Sequence, residues 1–119
     1  MNKTKKLVDT IVEGIQEKKG QDITIINLEG IEGAICKYFV ICQGSSPTQV
    51  EAIAESVGDY CREKESEKPA HVTGLESALW VAIDYVDVMV HIFVPDMRAY
   101  YDLESLWKDA SQKKILDEG

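Results

Sequence analysis

Asp84, Asp87 and His91 stand within one apolar run, DYVDVMVHIFV, and are residue types that can hold a metal or exchange protons. A protein metal site needs three or four ligands that converge on one point. Here Asp84 and Asp87 flank a turn, and His91 lies two same-face positions beyond Asp87 on a strand. The other histidine, His71, belongs to a separate stretch. Nothing nearby reads as a nucleophile. Turn-forming aspartates and a partly buried imidazole account for the spacing better, so no catalytic, cofactor or metal residue is assigned.

Gly44-Ser45-Ser46 follows an apolar strand and opens a helix, a placement where phosphate groups bind. Nucleotidyltransferases use a Gly-Ser there, followed by an Asp-x-Asp or Asp-x-Glu pair that holds Mg²⁺ from one strand face. At the matching distance this chain has Asp59-Tyr60-Cys61, a single acid on a helix. Helix capping therefore explains the loop better, and a nucleotide-binding or nucleotidyl-transferring enzyme is the alternative reading. The cysteines, Cys36, Cys42 and Cys61, are odd in number and lack CxxC spacing. They predict buried thiols in a reducing compartment, with neither a disulfide framework nor a zinc knuckle.

Those residues must be positioned by one domain. The 119 residues suffice for an ordinary core, and 45% apolar with 29% charged is a globular composition. The formal charge of -8 repels phosphate backbones, and no basic stripe offsets it. Little direct nucleic-acid contact is predicted; a basic protein is the better partner. Asp9 and Glu13 interrupt the apolar N-terminal stretch, against a signal peptide. No run approaches the ~18 apolar residues of a membrane span, so the expectation is a cytoplasmic chain without membrane contact.

Leu7, Val8, Ile11, Val12 and Ile15 recur at helical spacing, with Gly20 as a stop. DITIINL (22–28) and YFVIC (38–42) read as strands, the second apolar on both faces. Ser46, Pro47 and Gln49 then open a second helix through a capping box, and Pro69 closes the polar tract after it. A loop with His71 and Gly74 leads to LWVAID and VMVHIFV, an antiparallel hairpin turning at Tyr85–Val86. Pro95 begins a helical C-terminal part in which Asp102 restarts the helix as a cap. From Ser111 the tail is polar and predicted to fray. The second helix reads as a crossover that makes the second and third strands parallel. The fold class is α/β: a single layered domain over residues 1–110, with helices packed on a mixed sheet.

Val88, Val90, Ile92 and Val94 share one purely aliphatic face, the core. The other face presents Trp80, Asp84, Asp87, Met89 and His91 if alternation holds through the turn. Trp80 must then be covered by a helix or left for a partner, and the pattern alone leaves both open; Trp107 reads as core. Aromatics beside carboxylates are the material of protein-binding hot spots. The partner-binding candidates are therefore Trp80, Asp84, Tyr85, Asp87 and Met89, then Arg98 and Tyr101.

YFVICQGSS, QVEAIAESV and LWVAIDYVDVMVHIFVPDMRAYYDLESLWKDA together resemble the ribosomal silencing factor family, RsfS or Iojap. The likeness spans about Asp22 to Ala110. Its strongest parts are W-x-x-x-D-Y-x-D-V-x-V-H-x-F at Trp80–Phe93 and Y-D-L-E-x-L-W at Tyr101–Trp107. Lys37, Thr48, Thr73 and Val86 stand where the family commonly has Asp, Arg, Glu and Gly. The resemblance implies a nucleotidyltransferase-like domain without its catalytic carboxylates, hence no enzyme. It further implies binding to the large ribosomal subunit through its ribosomal protein number fourteen, which blocks small-subunit joining and represses translation when nutrients fall. A homodimer in the free state is also implied.

Overall fold

The computed structural model describes residues 3–116. The amphipathic N-terminal segment forms helix α1, Lys3–Glu17, burying Leu7, Val8, Ile11 and Ile15 along one face. It ends where Lys19 turns left-handed and the Gly20 amide donates to the Ile15 carbonyl at 3.0 Å. Strands β1, Gln21–Asn27, and β2, Tyr38–Gln43, pair antiparallel. Helix α2, Pro47–Glu65, starts at Ser46, whose hydroxyl accepts the Gln49 amide proton at 3.2 Å. It stops at Ser66 in the left-handed region. α1 and α2 press together at Gly14, whose carbonyl accepts the Ser56 hydroxyl proton at 2.7 Å.

The expected hairpin is present as β4, Trp80–Asp84, and β5, Val88–Phe93, antiparallel with Ile83 opposite Val90. Two short helices follow, α3, Pro95–Tyr101, and α4, Leu103–Leu106. Asp102 stands between them as expected, but it adopts the left-handed region and makes no side-chain capping bond.

Three sequence expectations are corrected. The stretch around His71 is a short edge strand, β3, His71–Thr73, paired antiparallel with β4. The tail expected to fray instead supplies β6, Ser111–Ile115, antiparallel to β1. Every residue of β6 but Ile115 is exposed, so the strand is held by ladder hydrogen bonds that carry no hydrophobic signature. Finally, β2 is parallel to β5, not to β4. The crossover from α2 enters the sheet through the far arm of the hairpin, and the near arm lies outside it. The order is β3-β4-β5-β2-β1-β6, one mixed sheet.

Both faces of that sheet are apolar. Val40, Cys42, Val81, Ile83, Val88, Val90 and Ile92 meet α1 and α2 on one side. On the other, Ile26, Phe39, Ile41 and Phe93 pack beneath Met97, Leu103 and Trp107 from the C-terminal helical segment, and beneath the 28–37 loop. Trp107, expected in the core, is partly buried and packs on this second cluster, edge-on to Phe39. Each fully buried aliphatic or aromatic side chain contributes about 1.5–3 kcal/mol, so the second cluster is a stabilising layer that covers part of the face bearing Trp80. Among the described residues no helix is long and apolar enough to cross a membrane.

Candidate functional site

The hairpin register sets three rows on the face away from α1 and α2: Trp80 beside Phe93, Ala82 beside His91, and Asp84 beside Met89. β3 extends two rows outward with Thr73 beside Ala82 and His71 beside Asp84. Gly74, at φ +89°, makes this possible. A Cβ there would lie 1.9 Å from the Trp80 carbonyl oxygen, so only glycine lets the loop cross so close to β4.

Trp80 resolves the two readings that alternation left open, since both hold in part. The ring is half-buried. It stacks on Phe93 at 5.0 Å between centroids and lies 4.5 Å from Tyr101 of α3. Its indole N–H donates to His91 Nδ1 at 3.1 Å. One flank is covered, and the rest reaches solvent with a fixed orientation.

His91 is 4% exposed and lies edge-on to Phe39 at 4.6 Å. Burial pulls its pKa down to about 4, so it is neutral at pH 7. Because Nδ1 accepts from Trp80, the proton is assigned to Nε2. Nε2 is buried with no hydrogen-bond partner among the described residues. His91 is thus a support for Trp80 inside the face.

The aspartates do not join it. Asp84 Oδ1 accepts the Val86 amide proton at 2.7 Å, an Asx-type turn, with the carboxylate half-exposed on the open face. Asp87 turns the other way, its Oδ2 3.4 Å from Thr4 Oγ1 of α1 and 3.9 Å from Lys37 Nζ. Alternation fails at the turn, and Asp87 leaves the Met89 row. Among the described residues no three or more His, Cys, Asp or Glu side chains gather where a metal could be held.

Two other candidates are also relocated. Tyr85 is 5% exposed and sits in the core on the α1–α2 side. Burial, with the Cys61 thiol beside its hydroxyl, raises its pKa. It continues the alternation of Val81 and Ile83 and so points away from Asp84. Arg98, with a side chain 11% exposed, pairs with Glu104 at 2.6 Å and donates to the Asp22 carbonyl at 2.6 Å and to Thr24 Oγ1 at 3.2 Å. It ties the C-terminal helices to β1 and offers no free guanidinium. Tyr101 is exposed as expected, and it is joined at the surface by Tyr100, edge-on at 5.1 Å. Sequence reasoning read Tyr100 as an apolar anchor and left it out of the partner-binding candidates. The only clue was the concentration of large side chains in a helix too short to bury them.

The Gly44–Ser46 loop is occupied by its own contacts. Ser45 donates from its amide and hydroxyl to Gln49 Oε1 at 2.7 and 2.9 Å, while Gln49 Nε2 donates to the Lys18 and Lys19 carbonyls at 3.2 Å. The side chain of Gln49 reaches back to Ser45, so the box is widened by one residue, and it also caps the end of α1. Burial pushes the thiols of Cys36, Cys42 and Cys61 up to about 11, 12 and 11, which makes them poor nucleophiles.

Half-buried Trp80 and Met89, exposed Tyr100 and Tyr101, and the Asp84 carboxylate give an α/β domain one amphipathic face with the chemistry of a docking surface. A family model described as ribosomal silencing factor during starvation matches residues 1–118, and the chain belongs to that family. A ribosomal silencing factor of Halalkalibacterium halodurans is 41% identical over 87% of both chains. A crystal structure of a Chromobacterium violaceum protein superposes with a TM-score of 0.83 at 30% identity, covering 97% of this chain and 92% of its own. More distantly, a Mus musculus protein named mitochondrial assembly of ribosomal large subunit protein 1 is 26% identical over 84% of this chain and 44% of its own length. The family comprises ribosome-associated regulators of translation and is not a family of enzymes.

Proposed function

We propose that this chain is a cytoplasmic translational repressor. It docks on the large ribosomal subunit through the basic ribosomal protein number fourteen and excludes the small subunit by occupying its space. The single observation that carries the reading is the pre-oriented Trp80, held by His91, Phe93 and Tyr101 with its remaining edge open. An aromatic already fixed in one orientation loses little entropy on binding, which is the character of a hot spot. Met89, Asp84 and Tyr101 surround it; Tyr85, Asp87 and Arg98 have internal roles and fall outside the face. A chain of charge -8 steers toward a basic partner, and a standard interface of roughly 1,600 Å² suffices without any chemistry. A homodimer of the free chain would use the same face, so ribosome binding would compete with it.

Trp80→Ala is expected to weaken binding to the isolated ribosomal protein by more than ~2 kcal/mol, about thirtyfold in calorimetry. Tyr101→Arg, at an exposed position, serves as a second variant with less effect on folding. Unchanged affinity in both folded variants would place the interface elsewhere.

A further inference from the structure

The helix layer does not reach across the whole sheet. α2 packs over β4 and β5, and α1 over β2 and β5. The outermost strand β3 points Val72 to this same side, opposite Ile83, yet Val72 is 40% exposed and Leu75 beyond it 45% exposed. Between α2 and β3 lies a groove of about 460 Å³. Ala54 and Gly58 of α2 form one wall, Val72, Leu75 and Pro69 the other, and Ile83 and Tyr85 the floor. It lies on the face of the sheet opposite Trp80 and Met89.

The groove has two further properties that limit its occupant. Glu51 and Glu55 line its α2 side one helical turn apart, both exposed, and among the described residues neither has an ion-pair partner. Gly58, on the same wall, has nothing within 4 Å of where a Cβ would stand, so the space above it is open. Packed helices lie about 8–10 Å apart and strands about 4.8 Å apart. A helix laid beside α2 would therefore rest above β3, where the groove is. An added strand would instead lie beyond β3 and leave the space above it empty.

We infer that this groove is a second docking site, which takes an amphipathic helix of a partner protein bearing an aliphatic stripe bordered by Lys or Arg residues one turn apart. The aliphatic side chains enter between Ala54, Val72 and Leu75, and the cations meet Glu51 and Glu55. Because it opens on the other side of the sheet from the aromatic face, both sites can be filled at once. The chain could then tether a second protein while docked.

The test uses the full chain and a fluorescein-labelled synthetic helix of roughly 15 residues, with a leucine stripe and lysines spaced by one turn along its border. Fluorescence anisotropy is expected to give saturable binding in the ~µM range. The double variant Glu51→Lys/Glu55→Lys, fully at the surface, is expected to weaken it at least ~tenfold and to gain affinity for the same helix carrying glutamates in place of lysines. Gly58→Leu, which fills open space, should block binding, and Trp80→Ala should leave it unaltered. The proposal is overturned if the helix does not saturate the wild-type chain. It is also overturned if charge reversal leaves affinity intact or if Trp80→Ala abolishes binding. Sedimentation of the free chain adds one more decisive outcome: a dimer that Gly58→Leu dissociates would make the groove a self-interface and end the proposal.

Discussion

Val86 sits at φ +73°, in a region that L side chains avoid and β-branched ones avoid most. The Asp87 amide donates back across it to the Tyr85 carbonyl at 2.9 Å, so the hairpin closes on a three-residue turn centred on a strained valine. A left-handed L-residue costs about 1–2 kcal/mol, and glycine returns part of that in unfolded-state entropy. Val86→Gly is expected to raise stability by roughly 0.5–1 kcal/mol, seen as a higher urea midpoint at unchanged slope; a lower midpoint would mean the turn is not strained. His91 sets the pH response. Its folded pKa, about 4, lies below the ordinary 6.5, so between those values the unfolded chain takes a proton that the folded chain refuses. This contribution is complete above pH 6.5, is lost as pH falls toward 4, and amounts to roughly 3 kcal/mol. Urea midpoints across that window should fall in the wild type and fall less in His91→Gln; parallel curves would contradict it. Strand alternation puts His91 on the same face as Trp80, where the structure has it. Alternation missed Asp87, because a three-residue turn breaks it and nothing in the residue types marks where; Tyr85 obeys alternation, lying with Val81 and Ile83, and was grouped with the open face for its chemistry alone.

The two helices that hold the hairpin meet through glycine, and two glycines on facing elements call for opposite outcomes. A Cβ on Gly14 of α1 would lie 3.0 Å from Val57 Cα and 3.2 Å from the Ser56 carbonyl, both backbone atoms that cannot yield without parting the helices. Gly14→Ala is expected to destabilise by about 1–3 kcal/mol. Gly58→Ala meets open space and removes a helix-interior glycine, so it should stabilise by about 0.5–1 kcal/mol. Thermal melts of the two variants would reveal the split; shifts of the same sign would show that α1 and α2 do not touch as described. Elements with periodicity, caps or aliphatic alternation were legible: α1, α2, β2 and the hairpin. β3 and β6 were not, since HVT and SQKKI carry no buried face and exist only because a neighbouring strand offers an edge. Arg98 was read as a surface contact because its staple to Asp22 and Thr24 spans more than 70 residues, beyond any local pattern.

At the scale of the whole molecule, the sheet separates two surfaces. Helices α1 and α2 seal most of one side, while α3, α4 and the 28–37 loop cover only part of the other and leave the Trp80 patch open. The family motifs sit on the hairpin and on the Tyr101–Trp107 segment, the two stretches that frame this patch. Charge adds long-range attraction to a basic partner, so association should slow as salt rises while release changes less. The decisive measurement is sedimentation of isolated large subunits with the chain, followed by addition of small subunits. The chain should pellet with large subunits and lower the yield of joined ribosomes in proportion to its occupancy, and Trp80→Ala should do neither. Joined ribosomes forming at full yield with the wild-type chain still bound would contradict steric exclusion.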